Sequence, residues 1–454
     1  MRHTHRTGRM LAALFALAAL PAAAQQRTGL DIPIEKYRLE NGLEVILSPD
    51  RSLPAVAVDL WYDVGSRNER PGRTGFAHLF EHMMFEGSQN VARGEHISML
   101  LAAGSNNLNG TTNEDRTNYF QVVPPSRLNL ALWLEADRMR SLDVTAEKLR
   151  IQQEAVKEER RMRVENVPYF PSLYHALYTG PYDPQGCFAY AHTIIGSMED
   201  LNAANLDDVR AFFKQYYAPN NAVLTVAGDF DPAQAKQLIR EYFGSIPAAP
   251  QPAAVECSRP FTRLPARDTI RDANATLPAV TAVYGGVGVG HPDSYALQLL
   301  GTILGGGESS RFQQRLVREE KAAQNALSGT QIRRGPGIVL FRAIANQGVT
   351  ADRLEQLTEE EIAKVRDAGV TAEELQRVKN QFRAQTIRGL QTALGRAEAL
   401  NRYEIFAGDA SLIRTDLDRY LAVTREDVQR VARKYLDPGN RLVIVTLPAS
   451  AAAK

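Results

Sequence analysis

Thr74-Gly75-Phe76-Ala77-His78-Leu79-Phe80-Glu81-His82-Met83-Met84-Phe85 sets two histidines four residues apart in an otherwise apolar run. No Pro or Gly interrupts positions 76–85. The spacing predicts a helix. Residues four apart stack on one helical face, so His78 and His82 can reach one metal ion. Imidazole nitrogen suits Zn²⁺, and a catalytic zinc takes three protein ligands and leaves one position open. Glu81 follows His78 by three residues on the same side, where a carboxylate can accept a proton from metal-activated water. Two histidines alone on a helix would be ordinary polar residues. The intervening Glu within bulky apolar neighbours makes a metal site the better reading.

The run resembles the inverted zinc-peptidase motif H-x-x-E-H. That motif belongs to the pitrilysin and insulinase family, which includes mitochondrial processing peptidases. The resemblance covers about residues 32–447. It implies one Zn²⁺ per chain and a third ligand, a Glu on a later helix. Here that window reads Glu154-Ala155-Val156-Lys157-Glu158-Glu159. Helical period does not separate Glu158 from Glu159. The family's run of a small residue, Val, two others and Glu maps the ligand to Glu159. Two turns earlier the family often has an acid near the metal, but this chain has Gln152; the ligand set is intact, and the nearby Glu154 is not taken as a replacement for that acid.

The segment 104–119 resembles the family's edge strand, on which substrate adds as an extra strand. Asn109 and Thr112 match its substrate-binding Asn and Thr, and Gly110 replaces the usual Ala. Gly305-Gly306-Gly307 matches a glycine-rich loop and lacks the Gly-Lys-Ser/Thr of a nucleotide loop. The family pairs an Arg with a Tyr seven residues later to hold substrate backbone and oxyanion. Arg318 matches the Arg, but Asn325 stands in place of the Tyr. The resemblance therefore implies a zinc-bearing subunit of a hetero-oligomer, with a homologous partner supplying Arg and Tyr. The alternative is a non-catalytic assembly or chaperone-like subunit with a structural or vestigial metal. Glu81 argues against it, because a structural zinc fills all four positions and has no use for a base.

The chain outside the motif has 454 residues, 44% apolar and 23% charged, enough for two or three domains. A formal charge of +1 gives no basic excess for nucleic acid. Met1 to Arg9 is basic, Met10 to Leu20 apolar, and Ala22-Ala23-Ala24 offers a small-residue cleavage site. This pattern predicts a secretory signal over 1–24 and a periplasmic or secreted protein. Cleavage removes three arginines and no acid, taking the formal charge from +1 to −2. No later stretch is long and apolar enough to span a membrane. Cys187 and Cys257 are the only cysteines; an exported pair can bond, but spacing does not settle the geometry.

Strand and helix patterns recur. Tyr37 to Leu47 reads as a hairpin around Asn41-Gly42, and Pro54 to Val64, Asn107 to Thr112, Thr117 to Val123 and Ala222 to Ala227 read as strands. Helical patterns occupy Gly94–Ala103, Arg127–Arg140, Ala146–Arg163, Val209–Tyr217 and Asp231–Phe243. Ile246 to Pro265 is Pro- and Ala-rich and reads as a linker between a zinc-bearing domain, 25–245, and a second domain, 266–454. Asp208-Val209 and Tyr216-Tyr217-Ala218-Pro219 recur as Asp427-Val428 and Tyr435-Leu436-Asp437-Pro438, an offset of 219 residues. The same offset carries the metal motif onto Leu297, Leu300 and Gly301, so the second half repeats the fold without the ligands. The expected class is α+β: two homologous halves, each a sheet packed on helices, facing across a cleft.

Overall fold

The computed structural model describes residues 30–449, apart from positions 53 and 263. The predicted signal segment lies outside these residues. The hairpin around Asn41-Gly42 forms as β1 (Glu35–Arg38) and β2 (Glu44–Pro49). The first half adds β3 (Val56–Tyr62), β4 (Asn107–Thr112), β5 (Thr117–Val123) and β6 (Ala222–Gly228). Its helices are α1 (Phe76–Met83), α2 (Glu95–Ala102), α3 (Leu128–Ser141), α4 (Ala146–Arg160), α5 (Phe170–Tyr174), α6 (Met198–Ala203), α7 (Leu206–Tyr216) and α8 (Pro232–Phe243). The second half has β7 (Ala266–Asp272), β8 (Ala279–Gly285), α9 (Asp293–Gly305), β9 (Ala323–Gln331) and β10 (Ile338–Ala345). It continues through α10 (Ala351–Ala368), α11 (Ala372–Gly389), α12 (Ala393–Ala407), α13 (Asp416–Ala422) and α14 (Arg425–Tyr435) to β11 (Arg441–Pro448).

The two sheets have the same topology. Strand order is β1-β2-β6-β3-β5-β4 in the first and β7-β11-β8-β10-β9 in the second. In each, one pair is parallel, β2 with β6 and β7 with β11, and the others are antiparallel. Strand β7 thus stands where β2 stands, and the second sheet lacks only a counterpart of β1. The repeat read from the chain termini of the two halves is a repeat of topology.

Each sheet packs one face on helices of its own half. In the first, Val45, Val58, Leu60 and Leu224 meet α1, α3 and α7 through Leu79, Phe80, Leu132 and Val209. In the second, Val280, Phe341 and Val443 pack with Leu297, Leu300 and Val428. The other faces are covered reciprocally. Helix α12, from the second half, lies on β3 and β6 of the first sheet, where Leu400 joins Ile46 and Val223, and Ala393 and Ala397 meet Ala57 and Ala227. In return Ala176, Tyr182, Ala189 and Tyr190 of the first half cover Val283, Leu340 and Ile444 of the second sheet. This exchange explains why β3 is buried along its whole length. The 246–265 linker is not a free tether. Cys257 bonds Cys187, and Phe261 forms an isolated bridge with Tyr182.

The exchanged helix is fixed by a buried amide. Asn401 of α12 donates to the Asp59 carbonyl at 3.0 Å and to its carboxylate at 3.1 Å, and accepts from Thr225 Oγ1 at 2.6 Å. Asn401→Ala should therefore leave a fully buried carboxylate and hydroxyl short of partners, at about 2–3 kcal/mol. Urea unfolding will read this as a lower midpoint; a change under about 0.5 kcal/mol, the scale of a neutral surface substitution, would show that α12 is held by apolar contact alone.

Candidate metal centre

Helix α1 buries Phe76, Ala77, Leu79, Phe80 and Met83 and leaves His78, Glu81 and His82 on its half-exposed side. Gly75 precedes it with φ +86°. A Cβ there would lie 2.6 Å from the Ile195 carbonyl oxygen, so both backbone and space demand glycine. No side chain at Gly75 can cap the helix. Glu69 does so from a distance: its carboxylate accepts from Gly75 N and Ala77 N, both at 2.8 Å. That places negative charge at the positive helix end.

The three predicted ligands converge. Glu159, on the last turn of α4, puts Oε2 3.3 Å from His82 Nε2 and 3.6 Å from His78 Nε2. All three ligand atoms lie within 4.8 Å of one another. Tetrahedral zinc with bonds of about 2.0–2.2 Å sets its ligand atoms about 3.4 Å apart, so the donor set fits. Glu159 Oε1 pairs with Arg163 at 2.7 Å. The alternative Glu158 is largely exposed and pairs with Arg161. Glu154 is likewise exposed, paired with Lys157, and does not replace the missing acid. Gln152 takes that place, contacting His82 Nδ1 through Oε1 at 3.1 Å and donating to Glu86 at 2.7 Å. Burial, then the neighbouring His82, pull the His78 imidazole down to about 4. Such a ring is neutral at pH 7, as a ligand must be.

Glu81 points from the same helix face toward β4. Its Oε2 accepts from Thr112 Oγ1 at 2.6 Å, and burial raises its pKa. Strand β4 is the sheet's edge. Asn113 N donates to Arg116 O, which fixes the phase of the β4–β5 ladder. Leu108, Gly110 and Thr112 are then non-hydrogen-bonded positions, and their main-chain N–H and C=O groups face the open edge. Gly110 lets this edge come close: a Cβ there would lie 3.0 Å from Glu81 Cγ and 3.1 Å from the Phe85 ring. The cavity so formed is about 550 Å³, with His78, Glu81, His82, Glu159, Asn109 and Thr112 in its wall. All of its described lining residues belong to the first half. Arg318 is not among them; it is half-exposed and pairs with Glu308.

Several contributors escaped the sequence reading. Glu86 follows His82 at helical spacing, a signal that was present. Glu69 and His192 are far from the motif in sequence and announced nothing. His192 Nε2 lies 2.9 Å from Ser66 O and 3.1 Å from Glu69, and Nδ1 lies 2.7 Å from Phe188 O. Phe188 directly follows the disulfide-bonded Cys187.

Sequence comparison agrees with this architecture. The profile of the Insulinase (Peptidase family M16) domain matches residues 44–180, and that of the Peptidase M16 inactive domain matches 203–382. The zinc protease PqqE of Helicobacter pylori is 30% identical over 88% of this chain and 90% of its own. A crystal structure of a protease from Helicobacter pylori superposes with a TM-score of 0.85 at 27% identity, covering 92% of this chain and all of that one. Mitochondrial core protein I of the Euglena gracilis ubiquinol-cytochrome-c reductase complex is 26% identical over 89% of this chain and 85% of its own.

The cap on α1 has a pH signature. Both His192 nitrogens face acceptors, which favours the imidazolium. Burial opposes that charge, but Glu69 and the two carbonyls outweigh it and raise the pKa. A raised histidine stabilises the fold fully below its unfolded value of about 6.5, and that contribution is lost as pH climbs through the folded value. Urea midpoints should therefore fall above pH 6.5, and His192→Gln should be less stable at pH 6 and lack this part of the fall. Parallel declines in both proteins would clear His192 of the role. The chain belongs to the insulinase family, peptidase family M16, with a first half that matches the family's Insulinase domain and a second half that matches its inactive domain.

Proposed function

We propose that the chain is a zinc-dependent endopeptidase acting on peptides or unfolded polypeptides. The observation that carries this reading is the meeting of His78, His82 and Glu159 beside an uncommitted carboxylate and an open strand edge. A zinc ion held by these three groups supplies Lewis acidity, acidifying water and polarising a carbonyl. Substrate lies along β4, paired to the main chain of Leu108, Gly110 and Thr112, with Asn109 beside it. Glu81 takes the proton of the attacking water and hands it to the leaving amine. Thr112 holds Glu81 toward the substrate edge.

The opposite wall of the site is assigned to a homologous partner chain. Three features support this: a cavity lined by one half only, Arg318 engaged with Glu308, and Asn325 where the family's Tyr is expected. A relative that is itself a core subunit of a respiratory complex fits the same habit of assembly. The protein is further assigned to the periplasm or the exterior. The leader pattern and the Cys187–Cys257 bond, a feature of oxidising compartments, support that placement.

Glu81→Gln should keep one zinc per chain and lose at least 100-fold in peptide cleavage. Metal analysis alongside fluorogenic peptide assays will decide; full turnover in this variant refutes Glu81 as the base, and an inactive, zinc-free wild type refutes the enzyme. Cleavage by the purified chain should rise at least tenfold when its envelope partner is added. Full activity of the chain alone would remove the need for a partner.

A further inference from the structure

Gln152 stands on α4 where a carboxylate was expected, and its side chain bridges two groups. Its Oε1 lies 3.1 Å from His82 Nδ1, and its Nε2 donates to Glu86 Oε1 at 2.7 Å. Glu86 lies just past α1, four residues after His82, and is 5% exposed. Its other oxygen lies 2.9 Å from Arg93 Nε, which anchors it. We propose that Glu86 and Gln152 form a relay that fixes His82 in the one tautomer able to bind zinc. The inference rests on the zinc site proposed above and adds two positioning residues to it.

The reasoning follows donors and acceptors. A primary amide is nearly symmetric in shape, so only its partners decide which end is which. A carboxylate can only accept, so Glu86 turns the Gln152 NH₂ group toward itself. The amide oxygen then faces His82, and it too can only accept. Nδ1 of His82 must carry the hydrogen. Nε2, 3.3 Å from Glu159 Oε2, is then the nitrogen turned toward the metal position. Reversing the amide would present a donor to Nδ1, move the hydrogen to Nε2 and block the ligand position.

His78 has no such device. Its Nδ1 is buried without a protein partner among the described residues. The two histidines of the motif are therefore unequal: the protein sets the tautomer of His82 and leaves that of His78 to the metal. A carboxylate directly on His82 would fix the same tautomer but also place its charge against the ring. The relay keeps the orientation and moves the charge one side chain away, to Glu86 just past the end of α1.

Glu86→Gln preserves shape but can donate or accept, so it no longer dictates the amide. Zinc affinity of the full chain, measured by competition with a chelator, should fall 10- to 100-fold, the usual cost of losing a ligand's hydrogen-bond partner. In zinc-free Glu159→Ala protein, where no carboxylate competes at Nε2, and at a pH where the ring is neutral, ¹⁵N histidine shifts should show His82 protonated on Nδ1, and mixed once Glu86→Gln is added. The exchange Glu86→Gln with Gln152→Glu should restore both, because residue 152 then only accepts and residue 86 donates to it. Unchanged affinity and tautomer in Glu86→Gln overturn the relay. If that variant does not fold, Gln152→Met tests the same contact, and wild-type affinity there overturns the relay equally. A wild type that takes up no zinc refutes the metal site itself, which is a distinguishable result.

Discussion

Two helices must be kept from separating. His78 and His82 sit on α1 and Glu159 on α4, and no disulfide ties the two helices together. Crowding two imidazoles and a carboxylate out of water is unfavourable by itself. The offset lies behind α1. Phe80 stacks on Phe213 at 5.6 Å between ring centroids and leans on Tyr217 at 4.4 Å, while Leu79 and Met83 are fully buried. Each such side chain contributes about 2–3 kcal/mol. Glu69 adds the electrostatic part by satisfying the helix N-terminus, where Gly75 cannot. The zinc helix is thus pinned at its start by a remote carboxylate and along its back by aromatic packing, and its polar side is left for chemistry.

The second half shows what happens when the same layout is relieved of that duty. Helix α9 lies between β8 and β9 as α1 lies between β3 and β4, and the 219-residue offset sets Leu297, Leu300 and Gly301 against His78, Glu81 and His82. There the helix closes onto its edge strand. A Cβ on Gly301 would fall 2.7 Å from Thr330 Oγ1, and one on Gly305 would fall 2.2 Å from Ser328 N. No imidazole fits at 301. In the first half the corresponding gap stays open as the cavity beside β4. Loss of the ligands and collapse of the gap are one change, not two.

Most of this frame was legible because its signals are local. The H-x-x-E-H spacing, the Asn41-Gly42 turn and the alternating strands depend on neighbours within a few residues, and β4 and β5 occur at the expected bounds. The choice of Glu159 over Glu158 came from resemblance, and the structure gives it a physical reason: one carboxylate faces the histidines, the other faces solvent and Arg161. What stayed hidden depends on distant contacts. Residues 176–191 carry no clean period because they serve the other half's sheet, with Tyr182 and Tyr190 fully buried there. Helix α12 reads as an ordinary helix, and nothing in its sequence says which sheet it covers. The Gln152 substitution looked like a lost acid only because Glu86, just past α1, could not be placed beside it.

The inactive half is more than a remnant, because the exchanged helix reaches the edge strand through hydrogen bonds. Thr111 of β4 accepts from Arg116 through its carbonyl at 2.7 Å and donates to Asn118. Asn118 donates to the Asp59 carboxylate at 3.0 Å. Asp59 is bound in turn by Asn401 of α12, which also receives Thr225. Thr111 is the neighbour of Thr112, which holds Glu81. The path from Glu81 to the second half therefore runs through two residues of β4, Thr112 and Thr111, and three buried side chains, Asn118, Asp59 and Asn401. An edge strand that must accept a new neighbour needs its open side free and its other groups immobile. Pairing with β5 secures the inner side of β4, and a helix borrowed from the silent half secures the face turned away from the metal. The duplication supplies the active half with the support that an isolated edge strand lacks.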